Sequence, residues 1–229
     1  MKYSVVFPCY NEAANLPFLI ESLEKFPKEF DVEFILVQNG STDRSPQILQ
    51  SLTGSKDRVK VVDVPINKGY GYGIKQGIIN ATGDYICWMH SDMQLSPLIL
   101  VDFFKYIELS NNQQLFMKGA RKNRHLIENF FTFGMGVFES ILFHTYVHDV
   151  MSMPVIIRAD LIAEPSSLPD DFSIDIYTYI LAKRNKQNVV HLPVYMKDRE
   201  GGVSSWNTGL LSRIKQSIKM IKASLKIKL

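Results

Sequence analysis

The stretch Tyr85-Ile86-Cys87-Trp88-Met89-His90-Ser91-Asp92-Met93-Gln94 decides the fold. Its first five residues are apolar or aromatic, and the run stops at a polar cluster. Such a run predicts a strand buried in a mostly parallel sheet. The polar cluster then lies at the strand's C-terminal end, where open α/β sheets bind ligands. In an extended chain, His90, Asp92 and Gln94 point to one side. An imidazole, a carboxylate and an amide oxygen converging there suit a divalent cation beside a phosphorylated ligand. A solvated turn after a strand is the plainer alternative.

Upstream, strands are expected at residues 3–7, ended by Pro8, at 32–37 and at 59–64. Helices fall between them. Asn11 or Asn15 caps the first, which runs to about Lys25; Thr42 or Asp43 caps the second; the third lies near residues 73–80. This β-α-β-α-β-α-β alternation predicts a parallel sheet covered by helices on both faces. Each strand leads into polar or small residues, at 8–12, 38–43, 67–73 and 90–94, and these loops should gather along one sheet edge. Downstream the pattern is less regular. Helices are expected at 97–109, 129–147, 172–184 and from 208 onward, with strands at 115–118, 154–158 (antiparallel) and 189–193.

The chain of 229 residues is long enough for one sizeable α/β domain, and its net charge of +3 is too small to imply nucleic acid. Cys9 and Cys87 both fall inside expected strands, as buried thiols in a reducing compartment would. The N-terminus lacks the apolar core of a signal peptide, and no run of apolar residues is long enough for a membrane span, so a cytoplasmic setting is expected.

Taken in order, these motifs resemble the family 2 glycosyltransferases, and most of all the branch of dolichyl-phosphate mannose synthase and its bacterial polyprenyl-phosphate relatives. Phe7-Pro8-Cys9-Tyr10-Asn11-Glu12 matches the family's opening Pro-x-Tyr-Asn-Glu. Gln38-Asn39-Gly40-Ser41-Thr42-Asp43 matches its Asp-Asp-Gly-Ser-x-Asp. Asn67-Lys68-Gly69-Tyr70-Gly71, with Gly77 and Gly83-Asp84, matches the next segment. His90-Ser91-Asp92-Met93-Gln94 falls on the Asp-x-Asp-x-Gln metal motif, and Arg199-Glu200-Gly201-Gly202-Val203-Ser204 on a C-terminal Arg-x-x-Gly-x-Ser.

The resemblance implies a single glycosyltransferase-A domain over residues 1–207, with a Rossmann-like, mostly parallel central sheet flanked by helices. A C-terminal helix over 208–229 follows it. It implies an inverting transfer from a nucleotide-sugar donor in the presence of Mn²⁺ or Mg²⁺, with Asp92, His90 and Gln94 as metal ligands. Pro8, Tyr10, Glu12, Asn39, Gly69, Gly71, Ser91 and Asp92 would bind the nucleotide sugar; the two glycines would let backbone N–H groups approach phosphate. Three departures stand out. His90 replaces the motif's first Asp, which favours a transition metal more than a carboxylate does. Gln38 and Asn39 replace two acids that often contact the base. Ser205 stands where the mannose-synthase branch often carries Lys.

Two acceptor classes remain open. A sugar hydroxyl in polysaccharide assembly needs a general base, for which Asp149, Asp171 and Asp175 are candidates. A polyprenyl-phosphate or other lipid-linked acceptor is already ionised and needs cations. Asp149 falls on a family position near the acceptor, whereas Asp175 also reads as a helix-surface or capping charge. Arg121 and Arg124 resemble the family's acceptor-phosphate segment, and Arg199 would close over the diphosphate. A nucleotide-sugar-binding protein without catalysis is the reading from a different class. From Leu210 onward, Leu211, Ile214, Ile218, Ile221 and Leu225 recur at helical spacing, with six Lys or Arg and no acid. Such a basic amphipathic helix suits an anionic membrane surface or a face packed on the domain. With the Phe-rich residues 129–147, it points to a peripheral enzyme on the inner face of the plasma membrane that makes cell-surface glycans.

Overall fold

The computed structural model describes residues 1–52, 57–110, 114–123, 126–197 and 210–227. Its strands are β1 (Lys2–Cys9), β2 (Asp31–Asn39), β3 (Val59–Val64), β4 (Tyr85–Trp88), β5 (Leu115–Arg121), β6 (Val155–Arg158) and β7 (Asn188–Val194). They form one sheet in the order β3-β2-β1-β4-β6-β5-β7. β1 pairs in parallel with β2 and β4, β2 with β3, and β5 with β7, while β6 runs antiparallel to both β4 and β5. All the strands but β6 therefore point one way. The helices are α1 (Leu16–Glu24), α2 (Ser45–Gln50), α3 (Tyr70–Ile79), α4 (Leu100–Leu109), α5 (Leu126–Phe143), α6 (Ser173–Arg184) and α7 (Leu210–Ser224).

The strands form where apolar runs can be buried on both faces. Val5, Val6 and Phe7 of β1 and all four residues of β4 are buried. One end of this core is aromatic. Tyr3 stacks on Phe104 with ring centroids 3.8 Å apart, and Phe26 meets Phe34 edge-on at 5.3 Å. α1 adds Leu16, Leu19 and Leu23, spaced to fall on one helical face. Both cysteines are free and buried, and burial pushes the Cys9 thiol up to about 12.

Two boundaries differ from expectation for identifiable reasons. β1 continues through Pro8 to Cys9, although a strand proline has no N–H to give. β4 pairs with β1 only as far as Val6, and beyond that point the Pro8 carbonyl accepts from Ser91 Oγ (2.9 Å). A residue's N and C=O face the same side of a strand, so the missing N–H falls where the ladder has already ended. α3 starts at Tyr70 rather than Gly73. Gly69, at φ +114, turns the chain directly into the helix, a conformation that glycine adopts without a Cβ penalty.

The two ends of the sheet are built differently. At the N-terminal end, Glu33 accepts from Ser4 Oγ (2.6 Å) and Thr82 N (2.7 Å), and Ser4 Oγ accepts from Gly83 N (2.8 Å), closing that edge. At the C-terminal end the loops after β1, β2, β3 and β4 gather as expected. Thr42 N donates to Asn11 Oδ1 (2.8 Å), Glu12 N to Ser45 Oγ (2.9 Å), Ala13 N to Asp43 Oδ2 (3.0 Å) and Asn39 Nδ2 to Gly69 O (3.0 Å).

Candidate active site

A cavity of about 1050 Å³ opens along that C-terminal edge. Pro8, Tyr10, Glu12, Asn39, Lys68, Gly69, Tyr70, His90, Ser91, Asp92, Gln94 and Arg121 line it, with residues from the segment before α6 and from α7. Most of the positions singled out in the sequence thus share one space.

On the donor side, the two amides that replace family acids have separated roles. Gln38 is occupied in bracing: its Nε2 donates to Asp63 (3.0 Å) and its Oε1 accepts from Ser41 N (2.7 Å). Asn39 faces the cavity. Its Nδ2 is committed to Gly69 O, which fixes Oδ1 as an acceptor, and that buried oxygen has no partner in the protein. A buried unmet acceptor beside a cavity fits a ligand N–H or O–H. Glu12 Oε2 accepts from Asn15 Nδ2 (2.6 Å), and the Ser91 hydroxyl is used on Pro8 O. The glycines have a role that the sequence reading did not assign. A Cβ on Gly71 would lie 2.3 Å from Asp171 O and 2.6 Å from Pro169 O, and one on Gly69 would lie 2.9 Å from Asp170 O. Backbone from the segment before α6 occupies the space beside both residues. Gly71 does not line the cavity, so its missing Cβ admits protein backbone rather than phosphate.

The metal motif is not extended, which corrects the alternation argument. Met93 takes φ +58, and Gln94 N donates to Asp92 Oδ1 (3.2 Å), so a turn rather than a strand carries these residues. His90, Asp92 and Gln94 nevertheless all border the cavity. Among the described residues, no group of three or more His, Cys, Asp or Glu forms a closed cage. A carboxylate, an imidazole and an amide oxygen at one edge of the cavity are a donor set that suits a divalent cation, which Asp92, His90 and Gln94 would hold.

The part of the site around Arg121 is built on buried charge. Arg121 Nε donates to both oxygens of Asp149 (3.1 and 3.2 Å), its Nη2 closes a second contact, and its backbone N also reaches Asp149 (3.3 Å). Asp149 takes a left-handed backbone (φ +44) and is buried. Asp175 is neither a helix-surface charge nor a base open to substrate. It is 0% exposed and accepts from Trp88 Nε1 (2.9 Å) under the cavity floor. Burial raises its carboxyl, opposed chiefly by Lys118. Lys118 is itself wholly buried in β5, and burial pulls it down to about 8. Asp171 accepts from Ser173 N (2.9 Å) at the start of α6. Arg124, Arg199, the segment 199–204 and Ser205 lie outside the described residues.

A second cavity, of about 310 Å³, adjoins the first between α5 and α7, and Arg121, Met151 and Gln216 line both. The two helices around it carry a surprise. α5 buries Glu139 while Ile127, Phe130, Phe133, Val137 and Ile141 face outward, Phe130 being 73% exposed. Burial pushes Glu139 up to about 7, and it accepts from Ser224 Oγ of α7 (3.2 Å). α7 packs through Met220, Ala223 and Ser224, leaving Ile214, Ile218 and Leu225 exposed. The apolar stripe read in the sequence is therefore not the face that packs on the domain. Tyr70, Phe172, Lys219 and Lys226 were not singled out as site residues. Tyr70 follows the glycine of a quoted motif; the lysines were hidden among membrane-type charges. Among the described residues, no helix is long and apolar enough to cross a membrane.

The model of glycosyl transferase family 2 matches residues 4–143. Over 100 residues the chain is 36% identical to the undecaprenyl-phosphate 4-deoxy-4-formamido-L-arabinose transferase of Proteus mirabilis, a match covering 42% of this chain and 30% of that protein. The chain thus spans about a third of the length of such relatives. In fold it is similar to glucosyl-3-phosphoglycerate synthase from Mycobacterium tuberculosis, solved with Mn²⁺, UDP and glucosyl-3-phosphoglycerate (TM-score 0.70, 18% identity, 98% of this chain and 78% of that one). It is also similar to a mannosyltransferase from Pyrobaculum calidifontis in complex with GDP-Man and Mn²⁺ (TM-score 0.69, 16% identity, 99% and 65%). At these identities the likeness shows the fold alone.

Proposed function

This chain belongs to glycosyl transferase family 2, and on that footing we propose that it transfers a sugar from a nucleoside-diphosphate sugar to a polyprenyl phosphate, with inversion at the anomeric carbon. One observation carries the choice of acceptor. Asp149 is locked onto Arg121 and Asp175 is fully buried, so neither is placed to take a proton from a hydroxyl; Asp171 lines the cavity, but its Oδ1 accepts from both Ser173 N and Ser173 Oγ at the start of α6. A phosphate oxygen has no proton to lose. It attacks the anomeric carbon from the face opposite the leaving group. The carbon–oxygen bond to the diphosphate breaks, and its electron pair leaves with the nucleoside diphosphate. The relative from Proteus mirabilis, named for undecaprenyl phosphate, supports this acceptor class.

On the donor side, Pro8, Tyr10, Glu12 and Asn39 receive base and ribose, and the orphan Asn39 Oδ1 accepts from the ligand. Asp92 would be the principal ligand of a divalent cation, with His90 and Gln94 beside it. When bound, that ion offsets charge developing on the leaving diphosphate. The imidazole leans the choice toward Mn²⁺ over Mg²⁺, and the two structural neighbours are described with Mn²⁺. Arg121 orients the acceptor phosphate, with Arg124 and Arg199 as further cations from outside the described residues.

The partner surface follows from the inverted helices. The exposed apolar side chains of α5 and α7 form a face that water disfavours, and Lys215 and Lys222 of α7 are exposed beside it. An anionic bilayer matches both features, and it is where a polyprenyl phosphate resides.

Asp149→Asn tests the acceptor class. The substitution keeps the side chain's shape, and melting temperature and donor binding are checked in parallel. A fall in kcat of about tenfold or less supports a phosphate acceptor, because no base has been removed. Near-complete loss of turnover in a folded, donor-binding variant would instead establish Asp149 as a base and the acceptor as a hydroxyl.

A further inference from the structure

Lys215, Lys219 and Lys222 of α7 recur at spacings of four and three, which puts them on one helical stripe, and Lys226 follows in the turn after the helix. They are not equivalent in the fold. Lys219 and Lys226 line the large cavity, with Gln216 beside them; Lys215 and Lys222 do not. The Lys219 ammonium lies 5.3 Å from the centre of the Phe172 ring. Phe172 stacks on Tyr70 at 4.9 Å, and Tyr70 lies 5.5 Å from His90 of the metal motif. Successive ring contacts thus connect the Lys219 charge with the end of the cavity where the diphosphate is expected.

The charge balance of the site calls for such groups. A donor diphosphate and an acceptor phosphate must lie close together for transfer, and they repel each other. Arg121 turns Nε and Nη2 toward Asp149, so the cation that orients the acceptor phosphate is offset by a carboxylate and leaves the phosphate's charge to be met by other groups. Arg121 and Gln216 both border the meeting point of the two cavities, and Lys219 follows Gln216 by one turn of α7.

We propose that Lys219 and Lys226 bind the phosphate of the acceptor, α7 and the turn after it thereby supplying the cationic wall of the acceptor site while Lys215 and Lys222 serve only the surface. This rests on the polyprenyl-phosphate reading above. A bilayer headgroup shares the same phosphate chemistry, so the test separates a soluble ligand from a membrane. Binding of farnesyl phosphate, with farnesol as the uncharged control, is measured by calorimetry on the full chain. Lys219→Gln/Lys226→Gln is expected to weaken farnesyl phosphate binding about 30-fold, and Lys215→Gln/Lys222→Gln by less than about threefold, as befits charge-assisted contacts against distant charges. Donor affinity and melting temperature should stay unchanged in both. Partition to phosphatidylglycerol vesicles should fall equally in the two double variants. Equal weakening of farnesyl phosphate by both pairs, or an effect of the Lys219/Lys226 pair on vesicles alone, overturns the assignment and leaves the acceptor class standing. Wild-type protein that binds farnesyl phosphate no better than farnesol overturns the acceptor class and the assignment together.

Discussion

Around the loops after β1 to β4, backbone N–H groups are met by short side chains such as Asn11, Asp43 and Ser45. On the Arg121 side, buried ionisable groups stand behind the lining of the large cavity instead: Lys118 of β5, Glu139 of α5, Asp149, and Asp175 of α6. The first arrangement costs little, because each bond meets a backbone N–H with a short side chain and ties one loop to the next. The second is expensive, because charges are removed from water and must be compensated in place. The donor wall is therefore ready to receive a ligand. The Arg121 side holds its charges against one another, and the neighbouring α5 turns apolar side chains outward.

Asp92→Ala gives the sharpest contrast. It removes the carboxylate that borders the cavity from the metal motif, and with it the turn bond from Gln94 N, while leaving the ties between the loops after β1 and β2 in place. Turnover should fall by about a thousandfold, comparable with losing a principal stabiliser of leaving-group charge. Mn²⁺-dependent protection of the fold by nucleoside diphosphate should vanish in a thermal-shift assay, and the melting temperature without ligand should hold. An Asp92→Ala variant that still shows Mn²⁺-dependent protection would put the ion elsewhere and dissolve the distinction between the walls.

Phe130→Ser with Phe133→Ser probes the opposite wall at its outer face. Both rings are largely exposed, so the folded chain loses little by their removal. Partition to anionic vesicles should drop by roughly tenfold or more, since each ring contributes apolar area to an interface. Turnover on a soluble short-chain phosphate should be unaffected. Unchanged vesicle binding would mean that the exposed face of α5 is covered by something other than lipid.

The same contrast explains what the sequence revealed. The loops after β1 to β4 were legible because each follows its strand directly, so Asn11, Asp43 and Asn39 stood out by position, although the bonds they make join loops about thirty residues apart. Even there, geometry beyond one strand was hidden. The turn at Met93 broke the expected alternation of His90, Asp92 and Gln94, and the glycines 69 and 71 proved to admit the backbone of residues 169–171, about a hundred residues away. The acceptor wall depends on such distant pairings throughout. Nothing near Asp175 in sequence announces Trp88 as its partner, and nothing near Glu139 announces Ser224. The α7 pattern showed its apolar stripe and residues 129–147 their aromatic content, but neither says which side turns inward when small polar residues such as Ser224 make the packed face.

Glu139 offers the smallest effect and the finest test of how the acceptor wall holds its charge. Burial lifts its carboxyl from the usual 4.5 to about 7, with the Ser224 hydroxyl and Lys118 pulling the other way. The folded chain therefore binds the Glu139 proton more tightly than the unfolded chain does. The stability that proton provides is fully present below about pH 4.5 and is lost as pH rises through about 7, a change of at most about 3 kcal/mol. His191, held below its usual range by burial, acts with the opposite sign, so the wild-type profile alone is ambiguous. Comparison with Glu139→Gln isolates the term, since the amide keeps an acceptor for Ser224 and cannot ionise. Urea unfolding at pH 5 and pH 8 should show the wild type losing stability relative to Glu139→Gln at the higher pH. Parallel profiles would mean that Glu139 keeps its charge in the fold. It would then have to be compensated by Lys118, and the acceptor wall would be a closed ion network rather than one that sheds charge to bury it.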